Sequence, residues 1–232
     1  MSRSRRDLLD RDLECAAADL LEHDPRLGAL EVSVRFDGGV AHVEGSAPDP
    51  EDLAVLRELL GRMGGVLAVW DRVRVGGAAP RVVDLGCGGT KQHADNLGLD
   101  VWPGPAVDVV ADLVDGVPFQ DESVDQIFAV HVLEHLADYL PLLAECHRIL
   151  RPGGVLHVLT PWWRHVNAVA DPTHVRLLDV QTFKHLCRPD RAGLCWYPLL
   201  VTRDEATVFA DLIPVKAGVR PPGDRRLARF FD

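Results

Sequence analysis

Between Arg81 and Thr160, short β-branched runs alternate with stretches of helical spacing: RVVDLG, LGLDVW, VDVVADL and VDQIFAVHV, a helical pattern over about Leu136 to Leu150, then GGVLHVLT. Alternation of this kind is what a parallel sheet with crossover helices requires, because parallel neighbours cannot be joined by a tight turn. The pattern predicts an α/β domain built on a parallel sheet with crossover helices, the Rossmann-like arrangement with helices on both faces. Further on, GLCWYPLLVTRD and EATVFADLIPVKA read as two longer strands that pair as a terminal hairpin on that sheet. The tail from about Arg220, PPGDRRLARFFD, is proline-led and is expected to pack loosely or fray.

Gly76-Gly77-Ala78-Ala79-Pro80 separates this region from a stretch with different periodicity, and its small residues cannot bury enough surface to belong to a core. The expected organisation is a first domain over 1–75, a linker over 76–80 and a second domain over 81–232. In the first, Leu9, Leu13, Ala16 and Leu20 recur at helical spacing up to about His23. Val32, Val34 and Phe36 then alternate with polar residues, Asp37-Gly38-Gly39 supplies a turn, and Val40 to Glu44 return antiparallel. Asp49-Pro50 starts a second helix with Leu53, Leu56, Leu60 and Met63 on one side, Gly64-Gly65 ends it, and a strand over about 66–75 completes an α+β order, α-β-β-α-β. The hairpin glycines, the Gly-Ser after the second strand and the Gly-Val entry to the last strand resemble a BON domain over about residues 5–75. That resemblance implies phospholipid or partner binding at a cell envelope; the acidic composition and the absence of a signal-like start depart from that setting and favour a docking or dimerising module, and so a homo-oligomer or a protein partner reached through this domain.

Composition narrows the partners. The 232 residues carry 25 basic and 35 acidic side chains, a formal charge of −10, which disfavours a nucleic acid or an anionic membrane as a partner, since both reward clustered Lys and Arg. No apolar run approaches the roughly 20 residues needed to cross a bilayer. The start MSRSRRDLLDRDLE turns acidic where a secretory signal would be apolar, so a cytoplasmic, soluble protein is expected. The five cysteines are scattered without a CxxC, and His174, His185, Cys187 and Cys195 match no standard zinc spacing, so neither disulfides nor a metal is expected.

The chemistry concentrates at VVDLGCGG, residues 82–89, a buried strand ending in an acid and a run of glycines. Glycines there let a ligand approach main-chain N–H groups that a Cβ would shield. The spacing is wrong for a dinucleotide GxGxxG and lacks a phosphate-binding GxxxxGK, and Asp84 is a poor neighbour for phosphate but a good one for a cation. VVDLGCGG resembles the first motif of class I S-adenosylmethionine-dependent methyltransferases of the type-11-like kind. The resemblance implies that Asp84, Gly86, Cys87 and Gly88 line the methionine portion of S-adenosyl-L-methionine. It further implies that Asp100, with Val101 beside it, takes the ribose hydroxyls, and that Asp112, with Leu113, meets the adenine. A carboxylate can accept from two vicinal hydroxyls at once, which explains the residue type at Asp100.

GVPFQDESVDQIFAVHVLEHL, residues 116–136, is similar to the same family's fourth-strand region, and HRILRPGG to the helix end before its fifth strand. His131 should therefore border the cofactor at a strand's carboxyl end, with Glu134 and His135 opening the next helix. The resemblance spans about residues 80–185, with a first crossover too short for more than a very short helix. It implies a methyltransferase acting on a small-molecule or glycan acceptor, the rival reading being a non-catalytic cofactor-binding or scaffold protein working through its first domain. His131, His135 and His174 are the candidate general bases, with His165 close in sequence, since imidazole suits proton removal near neutrality. TPWWRHVNAVADPTHVRLLD, residues 160–179, should overhang the same edge. There Trp162 and Trp163 form an aromatic wall over the acceptor, hold the sulfonium by cation–π attraction or pack as a lid on the core, and the Asp171–Arg176 cluster touches the acceptor or serves as a cap in which Asp171 or Thr173 starts a helix running through Val180.

Overall fold

The computed structural model describes residues 3–190 and 193–232. The chain divides into two compact units, Met1–Pro80 and Arg81–Asp232.

The first unit contains α1 (Arg3–His23), a 3₁₀ turn (Pro25–Leu27), β1 (Glu31–Asp37), β2 (Val40–Ala47), α2 (Pro50–Leu60) and β3 (Ala68–Val75). Its sheet has the order β1-β2-β3, with β1 antiparallel and β3 parallel to β2. The hairpin turns through Gly38 and Gly39, at φ +59° and +86°, a region that residues with a Cβ rarely adopt. Their N–H groups donate to the Asp10 carboxylate of α1 at 2.9 and 2.8 Å, so the first helix ties down the turn. Asp49 caps α2 by accepting from Glu51 N and Asp52 N, and Leu53, Leu56 and Leu60 are buried. One position on α1 is corrected: Ala17, not Ala16, lies inward with Leu13, a spacing of four rather than three.

The second unit is built on β4 (Val82–Leu85), β5 (Leu97–Asp100), β6 (Val109–Val110), β7 (Val124–Val130), β8 (Leu150–Pro161), β9 (Trp196–Arg203) and β10 (Thr207–Pro214). Their order is β6-β5-β4-β7-β8-β10-β9, a mixed sheet in which β4 to β8 run parallel and β10 is antiparallel to both its neighbours. The last two strands pair as the sequence suggests, but the final one lies inside and β9 takes the edge. Helices α3 (Leu140–Ile149), α4 (Asn167–Ala170) and α5 (Val180–Leu186) lie in the β7–β8 and β8–β9 connections, and α6 (Asp224–Phe231) follows β10.

Four expectations are revised. The β4–β5, β5–β6 and β6–β7 connections are loops rather than helices, so helices accompany only the β7–β10 half of the sheet among the described residues. Glu134 and His135 lie in a 3₁₀ turn, Leu133–His135, and the helix waits until Leu140. Pro152 to Gly154 fall inside β8, where the register with β7 slips between Val124 and Gln126 and Gly153 adopts φ +77°. Finally, the tail does not fray: Leu227 and Phe231, four apart on α6, are buried in the core with Phe183 and Trp196. Among the described residues, no helix is long and apolar enough to cross a membrane.

Candidate cofactor and acceptor site

β4, β5 and β6 are neighbours running the same way, so Asp84, Asp100 and Asp112, at or just past their carboxyl ends, fall along one rim. They are not equivalent. Asp84 is buried, 3 % exposed, and accepts from Gln92 N at 2.6 Å and Asn96 Nδ2 at 3.1 Å. Its charge therefore pins the loop that replaces the first crossover helix. Asp100 accepts from Gly88 N at 2.8 Å on one oxygen and Trp102 N at 3.0 Å on the other. Each oxygen keeps a second lone-pair site. Asp112 is exposed and accepts from Val114 N at 2.9 Å, while Leu113 is half-buried.

Gly86 and Gly88 adopt φ +60° and +54°. A Cβ on Gly88 would meet nothing, so the turn faces open space, whereas one on Gly86 would lie 2.9 Å from Cγ2 of Val132. Beneath the turn, a hollow with about 50 Å³ of free space is walled by Asp84, Gly86, Cys87, Thr90, Gln92 and Phe128, among others. Ligand pockets usually reach roughly 300–1,000 Å³, so a nucleoside would lie mainly across the open rim. Burial, then the Asp100 and Asp84 charges, push the Cys87 thiol upward and keep it protonated. The loop after β5 is braced by Asp108, which accepts from Gly98 N at 2.8 Å and Lys91 Nζ at 2.9 Å and is thereby held below the usual carboxylate range. Val101 and Trp102 leave apolar surface exposed beside Asp100.

On the far side of the turn, His131 follows β7 at φ +56°, unusual for a residue with a Cβ. Its Nδ1 lies 2.9 Å from Glu134 Oε1, and that hydrogen bond raises the imidazole above its ordinary value against the opposing effect of burial. Glu134 is buried, and its Oε2 accepts from the Thr160 hydroxyl at 3.1 Å. The Glu134 carbonyl accepts from Val175 N and Arg176 N, and the Arg176 guanidinium donates to Ala137 O. These contacts fold the 171–176 loop back onto the turn after β7, bringing His174 within 4.7 Å of His135, ring centre to ring centre. Thr173 Oγ1 lies 3.0 Å from His135 Nδ1 and donates to Asp171 Oδ1 at 2.6 Å.

The three candidate bases therefore share one neighbourhood, while His165 instead accepts from Asn167 N in its own turn. The roles of Thr160, Thr173 and Asp171 beside Glu134 and His135 have no sequence signal beyond the Asp-Pro-Thr-His string itself. Trp162 is not an open wall: its Nε1 donates to Asp179 at 2.9 Å, and the Arg203 guanidinium sits 3.9 Å from its ring centre. Trp163 is exposed, with the Arg164 guanidinium at 4.7 Å. The expected helix from Asp171 is also corrected. Asp179 caps α5 in a reciprocal box with Thr182, and the chain from 171 to 178 is held instead by backbone bonds of Val175 and Arg176 to Glu134 and of Trp163 to Leu178, to which the Thr173 and Arg176 side chains add theirs.

Residues 83–158 match the family model for a methyltransferase domain. The cofactor of such a domain is S-adenosyl-L-methionine, which the name of one relative carries: a probable S-adenosylmethionine-dependent methyltransferase of Mycolicibacterium smegmatis, 44 % identical over 57 residues, 25 % of this chain and 22 % of that protein. A ubiquinone biosynthesis O-methyltransferase of Pseudomonas aeruginosa is 28 % identical over 112 residues, covering 39 % of this chain and 48 % of the relative. The chain thus spans less than half the length of these relatives. Among solved structures, a putative methyltransferase complexed with the Haloferax volcanii Trm112 activator aligns over 58 % of this chain and 82 % of that one, at 20 % identity and a TM-score of 0.43.

Proposed function

We propose that this chain transfers a methyl group from S-adenosyl-L-methionine to a small-molecule or glycan acceptor. The observation that carries this reading is Asp100, a rim carboxylate with unused lone pairs, hydrogen-bonded to the left-handed glycine turn it faces. When bound, the cofactor supplies an electrophilic methyl group on a sulfonium. Gly86, Cys87 and Gly88 bring main chain close to its methionine portion, Asp100 accepts from the ribose hydroxyls, and Asp112 with Leu113 meets the adenine edge. Val101 and Trp102 cover apolar ring surface. Methyl transfer proceeds by in-line displacement, so holding donor and acceptor in line supplies much of the rate. An acceptor proton leaves to His131, His135 or His174, of which His135 is best prepared. The Thr173 hydroxyl gives its proton to Asp171 and so accepts from His135 Nδ1–H, which leaves Nε2 as the base.

The first unit, with its hairpin glycines and parallel third strand, supports a BON-like docking or self-association role, and we place the protein in the cytoplasm.

Calorimetry of the full chain with S-adenosylmethionine and its demethylated product tests the cofactor half. Loss of one charged hydrogen bond costs roughly 1.5–3 kcal/mol, so Asp100→Ala should weaken binding roughly ten- to a hundredfold, with Asp100→Asn intermediate and the exposed Asp115→Ala unchanged. Wild-type protein that binds neither compound would end the proposal. A screen of hydroxylated small molecules and oligosaccharides with labelled donor then identifies the acceptor.

A further inference from the structure

We propose that Glu134, His135 and His174 form a binding site for a first-row divalent transition-metal ion, with Zn²⁺ and Co²⁺ the best matched. One ligand atom from each residue lies within 4.8 Å of the other two. Ligands at the roughly 2.0–2.2 Å typical of zinc stand about 3–4 Å apart, so the widest separation in the trio needs to close by about 1–2 Å around an ion.

The outer contacts argue for a cation more strongly than proximity does. Metal-bound histidines almost always donate their second ring N–H to an oxygen, which fixes the tautomer that leaves the other nitrogen free. Both rings satisfy this condition. The His174 Nδ1 stands 3.3 Å from the carbonyl oxygen of Ala168, an acceptor only, so Nδ1 carries a proton, and Nε2, 3.8 Å from Asp171 Oδ2, is the atom left for an ion. The His135 Nδ1 meets the Thr173 hydroxyl, whose own proton is committed to Asp171, with the same result. Glu134 is oriented too, one oxygen bonded to His131 and the other to Thr160, and each oxygen keeps a further lone-pair site. Two imidazole nitrogens and one carboxylate oxygen suit zinc and its neighbours and are too nitrogen-rich for Mg²⁺ or Ca²⁺, which prefer all-oxygen sites. Three protein ligands also leave a coordination position open.

Ion binding here does not rest on methyl transfer. Were an ion bound during transfer, His135 and His174 would hold it through Nε2, and an acceptor hydroxyl made more acidic at the open position would give its proton to His131, whose Nδ1 is held by Glu134.

The test uses the full chain, stripped with a chelator and dialysed, then titrated with Co²⁺ by absorption and Zn²⁺ by calorimetry. Wild type should take up one equivalent, with ligand-field bands and no thiolate charge-transfer band. His174→Gln and His135→Gln should each weaken binding by more than about tenfold. Thr173→Val, which touches no ligand atom on the ion, should weaken it by about ten- to a hundredfold, and His185→Ala on α5 should leave it unchanged. Circular dichroism checks the fold of each variant; should His135→Gln unfold, His174→Gln and Thr173→Val still decide the matter. Wild type that takes up no ion, or a His135→Gln/His174→Gln double variant that binds as tightly as wild type, overturns the site and leaves His135 a metal-free base.

Discussion

Alanine at Gly86 and at Gly88 separates two costs that a glycine turn combines. Both positions sit in the left-handed region, at φ +60° and +54°, where a residue with a Cβ costs roughly 1–2 kcal/mol. Only at Gly86 does the added atom meet something: Cγ2 of Val132 at 2.9 Å, on a side chain 5 % exposed and packed in the core. Overpacking of that kind adds about 1–3 kcal/mol. Gly88→Ala should therefore lose roughly 1–2 kcal/mol of folding free energy, and Gly86→Ala roughly 2–5. At about 2–4 °C per kcal/mol for a chain of this size, thermal unfolding followed by circular dichroism should rank them clearly, with Gly86→Ala the lower. If the turn relaxes to relieve the strain, the loss moves into cofactor binding, where each 1.4 kcal/mol appears as tenfold in Kd by calorimetry with S-adenosylhomocysteine. A Gly86→Ala protein matching Gly88→Ala in both measurements would refute the claim that Val132 closes the back of the turn.

The raised His131 imidazole gives a pH signature. Its hydrogen bond to Glu134 favours the charged ring, so its contribution is complete below the ordinary value of 6.5 and disappears as pH rises through the raised one. His131→Gln should thus be most destabilising relative to wild type in mild acid, and a difference that grows above neutrality in urea titrations would contradict this. Burial pushes the Cys146 and Cys187 thiols up to about 12. With a disulfide reagent at neutral pH, exposed Cys15 should label in the native protein while those two stay protected, and equal rates would count against their burial. Arg148 donates to Glu145, to Asp121 and to the carbonyls of Phe119 and Val117, tying the loop before β7 to α3. Arg148→Ala should lose roughly 2–3 kcal/mol in chemical denaturation, and a loss under about 0.5 kcal/mol would show that loop to be held otherwise.

Features that depend on a few neighbouring residues were legible from the chain alone. Asp49-Pro50 marks a helix start because the cap and the first turn are adjacent, and Asp37-Gly38-Gly39 marks a hairpin because the turn needs positive φ at those positions. The glycines after β4 stood out for the same reason, since backbone constraint is written in residue type, whereas Asp100 closing β5 was picked out only by the family resemblance. The amphipathic pair Leu227 and Phe231 was equally local, but a proline-led tail obscured it.

Local pattern did determine where the strands run and which of their ends carry acids and imidazoles, because periodicity and turn chemistry act over less than about ten residues, but not the connections, which are loops between β4 and β7 where helices were expected. Tertiary structure alone decided that β10 slips between β8 and β9, that Asp84 spends its charge inside the loop while Asp100 keeps lone pairs toward the rim, and that Thr173 meets His135 across 38 residues. Such pairings are set by which arrangement buries the most apolar surface while leaving no buried polar group unbonded. That is a property of the whole packed unit, which no short window of residues contains.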